Sequence, residues 1–241
     1  MSTAADHCQD LVRQGAKDRY LASLFAPDAK RSSLFALYAF DVEIARICHV
    51  VSEPQIGLIR QQWWLDTLDS IYAGAAPAHP VAEELARAIE LASLPKHALR
   101  NLVLAREFDL YSDAMLDLQA LETYLGETSS AVIQMAALIL AGPEAQSSAE
   151  AAGLAGVAFG RALLLSEQPQ RHLPPGMERE AAIAHVRKRV AEARELRHTV
   201  AAAALPAFLP VSLTESYLSK ARPSQFRRQL TLWLAARRNR F

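Results

Sequence analysis

Cysteine, glycine and aromatic residues are all scarce in this chain of 241 residues, and neither sign of charge prevails. The only cysteines, Cys8 and Cys48, fit no zinc-ligand spacing and are too few for a disulfide scaffold, which suits a reducing compartment. No Walker-type glycine loop, no GxSxG nucleophile elbow and no His-x-x-x-His pair occurs, which removes P-loop, α/β-hydrolase and zincin chemistry. Lys plus Arg (26) balance Asp plus Glu (26), so the chain lacks the strongly basic footprint of a nucleic-acid binder. Long apolar runs are missing too. The two longest are broken, 131–142 by Gln134 and 200–213 by Pro206 and Pro210, short of the roughly 20 residues that span a bilayer. The N-terminus has no continuous apolar stretch and carries Asp6 and Asp10, unlike a secretory signal or transit peptide.

What the chain does have is apolar mass, 51% of its residues, enough to exclude disorder and to build a large core. No strand pattern of any length is present, and Ala, Leu, Arg and Glu dominate, all good helix formers. The pattern predicts an all-α protein with helices near 4–25, 29–50, 54–73, 79–93, 95–112, 117–141, 145–167, 178–203, 205–219 and 223–238. Ser52-Glu53-Pro54-Gln55 has the form of a capping box with proline in the first turn. Ile183, Val186, Val190, Ala193 and Val200 share one face of an amphipathic helix. Gly153, Gly156 and Gly160 sit at helical spacing and point to close helix packing. With no linker or repeat, a single domain over 1–241 is the expectation. The charge is uneven: seven basic residues and no acid lie in 216–241 (Lys220, Arg222, Arg227, Arg228, Arg237, Arg238, Arg240). Phe226, Leu230, Trp233 and Leu234 form a stripe among them. Such a basic amphipathic helix near 223–238 either lies on an anionic membrane surface or docks its stripe on the domain.

The stretch 18–72 resembles the N-terminal part of squalene and phytoene synthases. It carries Tyr20-Leu21, Ala26-Pro27, Arg31, Ala36-Leu37-Tyr38-Ala39-Phe40, Trp64 and Ile71-Tyr72-Ala73-Gly74. Weaker similarity continues through His79-Pro80-Val81, Asp109-Leu110, Leu121–Tyr124 and Gly156-Val157-Ala158 to Arg171-His172-Leu173-Pro174, so that it is clearest over 18–175. The resemblance implies an isoprenoid-synthase-type helical bundle around a central cavity. It also implies two aspartate-rich motifs that hold magnesium against a diphosphate, since magnesium demands oxygen ligands. Here those positions are changed. The first motif falls on Ala45, Arg46 and His49; in the second, Glu167 stands for one aspartate and the other has no counterpart.

A second resemblance, to the branch of complex I assembly factors with a squalene/phytoene-synthase-like domain, is closer over 28–72. Its marks are Arg31-Ser32-Ser33, Phe40 with Val42-Glu43, Val51-Ser52-Glu53, Ile56-Gly57-Leu58, Arg60, Gln62 and Trp64. It implies a non-catalytic assembly factor or scaffold for respiratory complex I. The expected partner is a complex I subunit or assembly intermediate; no cofactor and no nucleic acid are expected. The place would be the cytoplasm, or the inner membrane of a bacterium by peripheral contact through the C-terminal helix. Two alternatives stay open: an isoprenoid-diphosphate transferase with altered motifs, which would need magnesium, and an isoprenoid or lipid-binding module. The residues that would line the cavity are Arg31, Tyr38, Asp41, Glu43, Ala45, Arg46, His49, Trp64, Asp109, Tyr124, Arg161, Glu167 and Arg171. Asp41 lies on an apolar stripe, which calls for a cationic partner; Arg46, Arg60 and Arg161 are the candidates. Of Trp63 and Trp64, one is expected in the core and one at the surface, unless both line a ligand tunnel.

Overall fold

The protein's structure, a computed structural model, describes residues 3–111, 113–167, 173–219 and 223–241. No strand occurs among them, as the sequence predicts. The helices gather into two compact units, 1–112 and 113–241.

The first unit opens with α1 (Ala4–Gly15), started by a reciprocal cap. The Thr3 hydroxyl accepts from the Asp6 amide (3.1 Å), and the Asp6 carboxylate accepts from the Thr3 amide (3.0 Å). The helix expected over 4–25 is broken at Ala16 (φ −138°, ψ 58°), and α2 (Lys17–Ser23) leaves in a new direction. Close packing surrounds the break: a Cβ on Gly15 would lie 2.6 Å from the Val42 side chain. The next helix, α3 (Asp28–Val50), buries every residue from Ser33 to Val42. A helix apolar on all sides is the core of its unit, and α1 and α5 (Pro80–Ala92) pack on it. Between these lies α4 (Pro54–Tyr72), which contacts α3 and α6 (Lys96–Ala105); a 3-10 turn, Arg106–Leu110, follows α6. Proline stands in the first turn of α4 as expected, but Ser52 does not cap it. Proline forces the residue before it into extended backbone, so Glu53 becomes the N-cap (φ −133°, ψ 138°) and makes no side-chain bond.

The second unit is built around α9 (Ala149–Glu167), whose neighbours include α10 (Arg179–Glu195) and α12 (Thr214–Leu218). Before it come α7 (Leu118–Leu125), a π turn (Gly126–Ser130) and α8 (Ala131–Ala141). The run Leu118–Glu167 is long and apolar enough to cross a membrane by length and composition alone, beyond what the sequence reading allowed, yet 56% of its most apolar window is buried. It is also not one rod. The helix stops at Gly142 (φ 58°), and after a 3-10 segment (Gly142–Ser148) α9 folds back on α8. Glycine lets the two arms touch: a Cβ on Gly156 would collide with the Ser130 backbone, and one on Gly160 with Ser129 and Leu125. The Ser130 hydroxyl donates to the Gly153 carbonyl (2.8 Å), while nothing crowds Gly153 itself.

The helix expected over 178–203 ends at Glu195 and yields to 3-10 turns, Leu196–Thr199 and Ala202–Ala204. The one expected over 205–219 becomes α11 (Leu205–Phe208), a 3-10 turn (Leu209–Leu213) and α12. Pro206 and Pro210 account for the second case, because each removes an amide donor from the ladder. The chain closes with α13 (Gln225–Arg237), capped by the Ser224 hydroxyl, which accepts from the Arg227 amide (3.3 Å).

Gly156→Ala should lower stability by about 2–3 kcal/mol through overpacking, whereas Gly153→Ala should be neutral or stabilising by about 0.5 kcal/mol. Paired thermal melts check this; equal loss in both variants would refute the packing account.

Candidate functional site

The candidate residues divide between the two units. Arg31, Tyr38, Asp41, Glu43, Ala45, Arg46, His49, Trp64 and Asp109 belong to the first; Tyr124, Arg161 and Glu167 belong to the second. Arg171 and His172 lie outside the described residues.

In the first unit the chemistry centres on Asp41, only 5% exposed on α3. Its partners are not Arg46, Arg60 or Arg161. Arg19 from α2 donates to Oδ2, and Arg106, from the turn after α6, reaches Oδ1 at 3.5 Å. Arg106 also pairs with Asp109 at 3.2 Å. Burial pushes the Asp41 carboxyl up, but the two guanidinium groups outweigh it, so its pKa falls below the ordinary 3.8. Arg19 further lies over the Tyr38 ring, 5.4 Å from its centre, and burial pushes the Tyr38 phenol up to about 12. Both Asp41 oxygens therefore serve arginines. A magnesium ion there would have to displace two cations and would meet Arg106 beside Asp109, so these residues do not fit the metal. The neighbouring positions add no second clamp: Ala45 is half-buried, and Arg46 and His49 are exposed. Among the described residues no three His, Cys, Asp or Glu side chains converge.

Other candidates have local duties. Arg31 donates to the carbonyls of Ala26 (3.0 Å) and Leu24 (2.9 Å) and pairs with Asp28 (2.7 Å), fastening the bend between α2 and α3. Glu43 is half-buried on α3, near enough to Cys8 that its charge, after burial and Glu84, helps push that thiol up to about 12. Trp64 is 3% exposed and edge-packed on Phe40 (5.2 Å), while Trp63 is 42% exposed, which matches the expected division between core and surface.

The second unit holds a cluster that the sequence reading missed apart from Arg161. That side chain is 1% exposed in α9. It donates to His185 Nδ1 of α10 at 2.5 Å and to the Met177 sulfur at 2.7 Å. A guanidinium only donates, so Nδ1 must be the bare nitrogen and Nε2 must carry the proton. Nε2 faces Glu122 Oε1 of α7 at 3.0 Å, and Arg189 holds that same oxygen at 2.6 Å. Burial, then Arg161, pushes the His185 pKa below 6.5 against the pull of Glu122, and burial likewise lowers Arg161. The result is a chain from carboxylate through neutral imidazole to a buried cation. Its signal in the sequence was periodicity: His185 and Arg189 fall beside Ala182, Val186, Val190 and Ala193 on the inward face of α10. Tyr124 is buried on α7, and Glu167 ends α9 exposed to solvent. A separate pocket of about 480 Å³ is lined by Arg194, Arg197, Arg240 and Phe241.

The profile of the squalene/phytoene synthase family matches residues 12–172. A bovine protein named NADH dehydrogenase (ubiquinone) complex I, assembly factor 6 is 41% identical over 134 residues, 56% of this chain and 40% of that protein. Its mouse counterpart is 30% identical over 250 residues, 91% of this chain and 74% of that protein. The chain thus spans less than half of the bovine relative's length. The crystal structure of squalene synthase HpnC from Alicyclobacillus acidocaldarius superposes with a TM-score of 0.70 over 99% of this chain and 95% of that one, at 16% identity, a likeness of fold.

Two measurements follow from the buried charges. Asp41→Asn takes the carboxylate from Arg19 and leaves Arg106 with Asp109 alone, and should cost about 3–5 kcal/mol in denaturant unfolding. The contribution of Asp41 is full above pH 3.8 and fades as the pH falls through its lower folded value. For His185 the unfolded chain takes up a proton near pH 6.5 while the folded one resists, so stability should fall as the pH drops below that point. His185→Gln should reduce that slope, and nitrogen NMR at pH 7.5 should show a neutral ring protonated at Nε2; an imidazolium, or a neutral ring protonated at Nδ1, would refute the arrangement.

Proposed function

The chain belongs to the squalene/phytoene synthase family, and on that premise we propose that it is a non-catalytic member that serves the assembly of respiratory complex I. The observation that carries the first half is the state of Asp41. The family's metal-binding face needs free carboxylates, and here Asp41 is spent on Arg19 and Arg106 while Ala45, Arg46 and His49 follow it. Ionising a diphosphate rests on metal electrostatics, and a cationic surrounding offers none of the ligands. The second half is supported by the names of the bovine and mouse relatives, both complex I assembly factor 6. The partner on this reading is a complex I subunit or assembly intermediate, met in the bacterial cytoplasm or at the inner membrane. No cofactor is required, since such a role is one of holding and positioning.

Removing the gene from its host should reduce assembled complex I on native gels and NADH oxidation by membranes, and the wild-type gene should restore both. In parallel, purified protein with farnesyl or geranylgeranyl diphosphate and magnesium should give no condensed product by chromatography. Undiminished complex I in the deletion strain would overturn the assembly role. Turnover at enzyme-like rates would overturn the non-catalytic one in favour of a transferase with altered motifs.

A further inference from the structure

The outward face of α13 is unlike an ordinary solvated helix face. Turned towards the second unit's core are Leu232 and Ala235, both buried, and Arg228, half-buried over the Tyr217 ring. Directly opposite stand Phe226 (73% exposed), Leu230 (43%) and Trp233 (46%), spaced four and three residues apart. Of the stripe expected to dock on the domain, if it was not a membrane face, these three residues are therefore left uncovered, and Leu234 is half-buried. It also has no freedom to roll inward. Beyond the helix, Arg197 donates to the Asn239 carbonyl (3.0 Å), Arg194 donates to the Phe241 carbonyl (2.7 Å), and the Phe241 ring packs on Phe208 (5.0 Å). These contacts fix the rotation of α13 with the aromatic residues outermost.

The charges on the helix itself have one sign. Arg227, Arg237, Arg238 and Arg240 are exposed on or just after α13, and no acid occurs from residue 223 to the end of the sequence. Arg237 lies over the Trp233 ring at 5.3 Å. A protein partner could also use aromatic residues and arginine, but it would not call for every charge on the helix to have one sign. Phenylalanine, leucine and tryptophan flanked only by arginine match instead the division of a bilayer interface, with acyl carbon beneath and anionic headgroups above.

We propose that α13 is a peripheral docking element for anionic lipid bilayers. Phe226, Leu230 and Trp233 enter the headgroup–acyl boundary, and Arg227, Arg237, Arg238 and Arg240 pair with lipid phosphates. The proposal is independent of the assembly role, since it rests only on this face of the second unit.

The full chain should sediment with vesicles of phosphatidylcholine containing phosphatidylglycerol, and not with phosphatidylcholine alone. Raising the salt to about 0.5 M, where screening reaches only a few ångströms, should weaken binding strongly. Phe226→Ser with Trp233→Ser should weaken binding at least tenfold. Arg237→Glu with Arg238→Glu should do so more steeply, since each arginine near an anionic surface is worth about fivefold. All four side chains are exposed, so circular dichroism and melting temperature should match the wild type. Trp233→Phe should keep binding but lose the blue shift of tryptophan fluorescence on vesicles. Absence of binding to the anionic vesicles, equal binding to neutral ones, or unchanged binding by the Phe226/Trp233 variant would each overturn the proposal. So would intact vesicle binding in that variant with loss of a protein partner, which would make the face a protein dock.

Discussion

A charge removed from water has to be balanced by its neighbours, and Asp41 is where this protein meets that requirement. The carboxylate sits at the end of the most buried stretch of α3, where an unpaired ion would cost several kcal/mol. Arg19 and Arg106 supply the balance from two different elements, and a third contact ties Arg106 to Asp109. The ion pairs therefore cross-link α2, α3 and the turn after α6. That cross-link needs α2 to depart from the line of α1, which the break at Ala16 and the fit of Gly15 on Val42 allow. The same residues that settle the geometry of the first unit also occupy both oxygens of Asp41, the carboxylate on α3 that a metal would want.

In the second unit the balance is struck at a distance. Among the described residues Arg161 touches no carboxylate; its partners are an imidazole nitrogen and a thioether sulfur. Glu122 compensates it through His185, so the histidine must stay neutral for the chain of contacts to hold. Arg189 in turn keeps Glu122 charged and oriented. Asp41 and Arg161 thus each spend buried charge on holding helices together. The surfaces carry the complementary character: an apolar stripe framed by arginines on α13, and an exposed Trp63 beside a buried Trp64.

Helix content was legible because composition and periodicity act locally. The start of α4 could be read from its proline, and the packing role of Gly156 and Gly160 from their spacing. Where the reading of elements differed, the cause was a neighbour in the chain or in space. Proline at 54 moved the cap of α4 from Ser52 to Glu53. Prolines at 206 and 210 divided one expected helix into short turns. Gly142 turned an apolar run into a hairpin.

By itself the sequence determined the helical class and the need of Asp41 for a cation, which follow from residue type and spacing; its resemblance to a family implied the changed aspartate positions at Ala45, Arg46 and His49. Only the tertiary structure decided which cation answered Asp41, because Arg19 and Arg106 lie 22 and 65 residues away and nothing local links them. It also decided that Arg161 belongs with His185 rather than Asp41, and that the stripe of α13 faces outward. Amphipathicity states that a helix has an apolar side; which side is covered depends on what the rest of the chain brings against it.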